Sequence, residues 1–192
     1  MAKVDVDPIT LDIIENALMN ARFEMDQVLA RISLSPVIRE QHDAFPMICN
    51  DRGQMIVGQF GSYIPGVLEK FGDTIKEGDV FIWNDPYASK GSISHNNDWC
   101  VMMPIFHDHT LVGFSSMFGH MIDVGGKVPG SMPADALSIW EEGLRVPPVR
   151  IYDQGVLVEG VLDIMLNNTR TPDMNRSDMM ALIAGCQAAA TR

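Results

Sequence analysis

His95, Asp98 and His120 offer two imidazoles and a carboxylate, a donor set that suits a divalent metal such as Zn, Mn or Fe. They surround a hairpin. Trp99–Phe106 and Leu111–Phe118 are apolar runs rich in aromatic and β-branched residues, joined by the polar link His107-Asp108-His109-Thr110, which reads as a tight turn. If Phe106 faces Leu111, the ladder puts Asp98 opposite Gly119, with His120 one step beyond. His95 belongs to the loop feeding the same end. A regular ladder, however, leaves Asp98 and His120 on opposite faces. A shared site therefore requires the ladder to end or to bulge near Gly119, a residue type that permits a bulge. On spacing alone, three unrelated surface residues remain the alternative.

The elements that must position this hairpin are legible in order. Asp7 can cap a helix over residues 8–33, with Pro8 suited to its first position. Leu11, Ile14, Leu18, Ala21, Met25, Val28 and Ile32 form its apolar stripe. At 1.5 Å per residue the helix is roughly 39 Å long. It is read as a core helix lying across a sheet, with its far end available to a partner helix. Ala44–Asn50 and Gln54–Gln59 form a second hairpin turned by Asp51-Arg52-Gly53. The polar cluster Glu40, His42 and Asp43 before it is a solvated loop or a group facing the site. A short helix over Gly66–Phe71 and a strand over Val80–Trp83 lead to the loop Asp85–Asn97, expected to bear ligands because chemistry sits on loops held by strands. That loop has neither G-x-x-x-x-G-K-[ST] nor G-x-G-x-x-G, so no ATP site is assigned to it. Ser131 lacks a G-x-S-x-G context and reads as a turn residue rather than a nucleophile. Ala134–Glu141 reads as a short helix, Val149–Tyr152 with Val156–Val158 as a small hairpin, and Val161–Leu166 as a helix. Arg145 could hold a carboxylate or phosphate through its planar fork, or pair internally with Glu142. Ser177–Ala190 is helical and apolar on both sides, a pattern that demands burial. It reaches Arg192 without a glycine cap, so cover by another chain, or a longer original chain, is expected. The fold class is α+β: a mixed, largely antiparallel sheet of hairpins packed against the long N-terminal helix and shorter helices.

Several runs carry a family resemblance. They are Asn84-Asp85-Pro86-Tyr87, His95-x-x-Asp98, His120-Met121-Ile122-Asp123-Val124-Gly125-Gly126, Pro129-Gly130-Ser131-Met132-Pro133, Glu142-Gly143-Leu144-Arg145-Val146-Pro147-Pro148 and Asn168-x-Arg170-x-Pro172. From Asp7-Pro8-Ile9-Thr10 to about Pro172 the chain resembles the B-type subunit of N-methylhydantoinases, 5-oxoprolinases and the related ketone carboxylases. The acetone carboxylase branch uses a His-x-x-Asp pair and a second histidine 25 residues past the first, the spacing of His95 and His120. Two features depart from the family: Asn96-Asn97 stands where Leu-Pro is usual, and the family subunit is much longer. The resemblance divides the chain into a hydantoinase B-like N-terminal domain over 1–172, carrying the metal-binding hairpin, and a terminal helix over 173–192, truncated or docking on a partner.

The resemblance implies a companion A-type subunit that binds ATP and Mg and phosphorylates the substrate, with the B-type part acting on the activated species. Cyclic-amide hydrolysis is favoured over ketone carboxylation because the overall text looks more like the hydantoinase and oxoprolinase branch. A non-catalytic assembly module, awaiting the remaining part of a B-type subunit, is the alternative of another class. Within the enzyme reading, His95, Asp98 and His120 hold the metal. Asp123 orients His120 or joins the ligands, Asp85 is a candidate general base, and Arg145 a substrate holder.

Composition bounds the rest. The 192 residues carry a formal charge of −11 with no basic run, which argues against nucleic acid and anionic membranes. The 3 cysteines form no C-x-x-C, so a reducing cytoplasm is expected. MAKVDVDP has no apolar h-region, so no secretory signal is expected, and no apolar run approaches the ~18 residues that span a bilayer. The 14 methionines read as adaptable core filler rather than a copper site.

Overall fold

Residues 6–191 are described by a computed structural model; residues 1–5 and Arg192, where the leader and chain-end readings fall, lie outside the described residues. Helix α1 (Pro8–Ile32) starts where Asp7 accepts hydrogen bonds from the amides of Ile9 and Thr10. A single turn, α2 (Pro36–Arg39), follows under the cap of Ser35. The strands are β1 (Ala44–Asn50), β2 (Met55–Val57), β3 (Val80–Trp83), β4 (Asp98–His107), β5 (Thr110–His120), β6 (Val149–Asp153) and β7 (Val156–Leu157). Helix α3 (Pro65–Phe71) lies between β2 and β3, and α4 (Glu159–Asn167) and α5 (Pro172–Ala190) close the chain. The strands form one sheet in the order β2-β1-β5-β4-β3-β6-β7, with every pair antiparallel. The α+β architecture is the expected one, and the sheet is antiparallel throughout rather than mixed.

The central strands are buried on both faces because each face has its own cover. On β4, Trp99 and Val101 join a core with α1 and α5, whereas Cys100 and Met102 join a second core with Tyr63, Val67 and Phe81. This is the period-2 alternation of a strand between two layers. Methionines fill much of both cores; Met25, Met47, Met102, Met117, Met121 and Met179 are wholly buried.

Three expectations are corrected here. Of the apolar stripe of α1 only Ala21 and Met25 are buried, with Leu29 buried beside them, whereas Leu11, Ile14 and Ile32 are exposed. Leu18, Ala21, Met25 and Leu29 are the α1 residues that join the core. The short helix expected over Ala134–Glu141 shrinks to one 3-10 turn at Ile139–Glu142. Finally, α5 is covered from within this domain: Met179, Ala181, Leu182, Ile183, Cys186 and Ala189 are buried against α1, β4 and β5. The sequence shows that α5 must be buried, but not that a four-residue spacing of small and apolar residues on α1 meets it. Asp178, also fully buried, ties α5 to the α1–α2 link by accepting from the amides of Leu34 and Ser35.

Candidate metal centre

The β4–β5 hairpin turns through Asp108 and His109, both in the left-handed region (φ 47 and φ 61), as a two-residue primed turn requires. Phe106 pairs with Leu111, as the sequence suggests. The ladder then slips: Ile105 pairs with Gly113, leaving Val112 as the extra residue of a bulge. From there the register runs unbroken to Asp98 opposite His120. The bulge thus sits near the turn and not near Gly119. Gly119 pairs regularly with Trp99; a Cβ on it would come within 2.9 Å of Ile38 Cδ1 and 3.1 Å of Leu182 Cδ2. It is glycine because α2 and α5 press on that face.

One slipped residue brings Asp98 and His120 to the same face, the one opposite α1 and α5. His95 arrives on the β3–β4 loop. His95 Nε2 lies 3.1 Å from His120 Nδ1 and 3.2 Å from Asp98 Oδ1, and His120 Nδ1 lies 3.4 Å from Asp98 Oδ1. A divalent ion with ligands at about 2.1 Å separates neighbouring donors by about 3.0 Å in an octahedron and about 3.4 Å in a tetrahedron. The triangle fits a metal of either geometry. Among the described residues these three form a cluster with all donor atoms within 4.8 Å of one another. The other ring nitrogen of His95, Nδ1, is 2.9 Å from Ser94 Oγ, which fixes the ring and leaves Nε2 turned to the cluster.

Burial alone would raise the Asp98 carboxyl, but hydrogen bonds from His120 and His95 outweigh it and hold the pKa below the usual range. The reciprocal bond to Asp98 raises His95, partly countered by burial. Asp43, read as solvated loop or as facing the site, does face it: its Oδ2 is 3.8 Å from His120 Nδ1. The pairing of Ala44 with Gly119 puts it there.

The loop is held by side-chain amides. Asn97, fully buried, donates through Nδ2 to the carbonyls of Met121 and Gly130, and its own carbonyl accepts from the Met121 amide. Asn96 donates to Gly143 O, and Asn84 donates to Asn96 O and Leu144 O. The pair that departs from the family's Leu-Pro thus clamps the stretch between His95 and Asp98 by side-chain amides.

Asp123 takes a different part from the one expected of it. Its carboxylate accepts from the amides of Gly125, Gly130 and Arg170 and from the Arg170 guanidinium, and none of these is His120. It organises the loop after β5. Ser131 belongs to the same loop, its hydroxyl accepting from Val124 N and donating to Gly125 O, in keeping with a turn residue. Arg145 pairs with Asp85 (Nε to Oδ2, 3.5 Å) rather than Glu142, and lies over the rings of Trp140 and Tyr87. Asp85 also accepts from the amides of Tyr87 and Ala88. Asp85 and Arg145 line a cavity of about 490 Å³ that shares no lining residue with the one beside His95 and Asp98.

An antiparallel α+β domain with a His/Asp/His donor set at the open end of its central hairpin defines the class of protein. Residues 7–192 match the Hydantoinase B/oxoprolinase family, and the chain belongs to it. It is 39% identical over 190 residues to caprolactamase subunit beta of Pseudomonas jessenii, covering 94% of this chain and 32% of that subunit. The crystal structure of the ATP-dependent caprolactamase from Pseudomonas jessenii superposes with a TM-score of 0.88 at 35% identity, covering 97% of this chain and 33% of that one. The acetophenone carboxylase delta subunit of Aromatoleum aromaticum is 31% identical over 160 residues, 78% of this chain and 23% of that subunit. The chain spans about a third of the length of the caprolactamase subunit.

Proposed function

We propose that this chain is the metal-bearing part of an ATP-dependent complex that opens cyclic amides such as hydantoins, 5-oxoproline or lactams. The observation that carries the reading is the triangle of His95 Nε2, His120 Nδ1 and Asp98 Oδ1, with edges of 3.1, 3.2 and 3.4 Å. These residues would hold a divalent ion, Mn, Zn or Fe. When bound, such an ion polarises a substrate oxygen or lowers the pKa of a water. The chain's own residues do the positioning. Ser94 and Asn97 fix the His95 loop, and Asp43 stands beside His120 from β1. Asp123 keeps its supporting role in the loop after His120, and Arg145 with Asp85 forms a second polar group suited to an anionic substrate portion or to proton transfer.

ATP and Mg belong to an A-type partner subunit, and the remaining part of a B-type subunit completes the assembly. Three buried, unpaired cysteines fit a reducing compartment, the cytoplasm. Among the described residues no helix is long and apolar enough to cross a membrane. Ketone carboxylation is the second reading, supported by the likeness to the acetophenone carboxylase subunit; the higher identity to a caprolactamase subunit supports hydrolysis as the first.

The test is metal content by plasma mass spectrometry on wild type, His120→Ala and Asp98→Asn, with circular dichroism in parallel. About one equivalent in the wild type and near none in folded variants is expected. Equal content in all three would overturn the reading.

A further inference from the structure

The cavity beside the centre has a volume of about 460 Å³. It is lined by His95 and Asp98 and by the rings of Phe45, Phe60, Tyr63 and Phe118. These rings touch in sequence: Phe60 stands edge-on to Phe45 at 4.7 Å, Phe45 meets Phe118 at 5.1 Å, and Phe118 meets Tyr63 at 5.5 Å. The Tyr63 hydroxyl donates to the Phe45 carbonyl, which locks the wall to β1. Among the described residues that line the cavity there is no lysine or arginine.

Phe60 stands out. Its backbone is left-handed (φ 64), a conformation that a bulky residue seldom adopts, and its side chain is 79% exposed. The ring is held out over the cavity instead of being buried in the core, between Gly58 and Gly61, which also have positive φ. A glycine would take this backbone without strain, so it is the ring that the loop presents. Strained backbone of this kind concentrates where ligands are gripped.

We infer that this cavity receives a ring with an apolar face, its polar edge toward His95 and Asp98, and that Phe60 is the specificity-determining wall. The inference rests on the reading of His95, Asp98 and His120 as the reaction centre. It makes Phe60 a residue that discriminates substrates by shape and polarity, without acting on the reacting atoms.

The experiment uses the full chain loaded with zinc, and ε-caprolactam as the probe. Saturation-transfer NMR reads transfer from protein aromatic protons to the ring, and zinc content is measured on the same samples. Transfer to the lactam is expected. In Phe60→Ala and Phe60→Gly the lactam should bind about tenfold more weakly, the order of loss when an apolar contact is removed from a pocket. Phe60→Leu, which keeps bulk, should retain part of it. Circular dichroism confirms folding, and the glycine variant, free of backbone strain, guards against collapse of the loop. Unchanged lactam binding in the folded alanine and glycine variants overturns the inference. Zinc retained together with lactam binding that does not depend on Phe60 sinks this inference alone. Phe60-dependent lactam binding without zinc supports it and sinks the metal reading instead.

Discussion

Asp98 and His120 face one another directly across the β4–β5 ladder because a bulge at Val112, at the opposite end of the hairpin, shifts the register by one residue. Side chains alternate faces along a strand, so one residue of slip decides whether the two share a face. The donor set thus depends on a local irregularity far from it in the chain.

Metal affinity should depend on pH with a definite sign. The hydrogen bond to Asp98 raises the His95 pKa above 6.5, and a ligand imidazole must be neutral. Metal binding should therefore weaken as pH falls through a value above 6.5, by about tenfold per unit for each proton displaced. In the metal-free chain the sign is opposite. A raised folded pKa contributes stability that is fully present below the unfolded value and is lost as pH rises through the folded value. The difference in melting temperature between metal-loaded and metal-free chain should grow from about pH 6 to about pH 8. Calorimetry at several pH values checks this, and a constant difference would contradict it.

Asp43 approaches His120 without belonging to the closest triangle. Asp43→Asn should keep the fold and weaken metal affinity by about 10–100-fold, the effect of a group that supports a ligand. Competition with a chelator measures it. A loss as complete as that of His120→Ala would instead make Asp43 a ligand in its own right.

Gly119→Ala tests the packing behind the site. The added methyl meets Ile38 and Leu182. Overpacking of this kind costs about 1–3 kcal/mol, so the midpoint of urea unfolding should fall with an unchanged slope. A neutral outcome would mean that α2 and α5 yield more readily than their packing suggests.

Asp123→Asn removes the charge beside Arg170 from a side chain only 3% exposed. Breaking a buried pair typically costs about 3–5 kcal/mol; the exposure of Arg170 reduces this to about 1–3 kcal/mol here. Burial raises the Asp123 pKa, but bonds from the Arg170 and Gly125 amides outweigh it and leave the pKa lowered. Its contribution is present above the unfolded carboxylate value and is lost as pH falls through the folded one. Loss of stability at neutral pH with metal retained in the folded fraction is expected.

Removing residues 177–192 should unfold the domain rather than free a partner site, because α5 supplies Met179, Leu182, Ile183 and Cys186 to the core shared with α1. A folded truncated chain by circular dichroism would contradict this.

Much of this protein is determined locally. Asp7-Pro8 starts α1, Asp108-His109 turns the hairpin, and the strand alternation around Cys100 and Val101 follows from residue type and short-range sterics. The donor residues were identifiable by their chemistry, and the family by its ordered runs. Other features depend on distant contacts. Beside the bulge at Val112, Gly113 pairs with Asn50 of the neighbouring strand β1, and a Cβ on Gly113 would come within 2.5 Å of Cys49 O. Asp43 reaches His120 through the β1–β5 register, Asp123 is drawn to Arg170 from a distant loop, and Asp85 pairs with Arg145 because β3 and β6, far apart in the chain, are neighbours in the sheet. The cover of α5 likewise comes from α1, far away in the chain. Propensity and turn chemistry act over a few residues and can be read from the sequence, whereas face, register and ion-pair partners are settled only when remote segments compete for the same space.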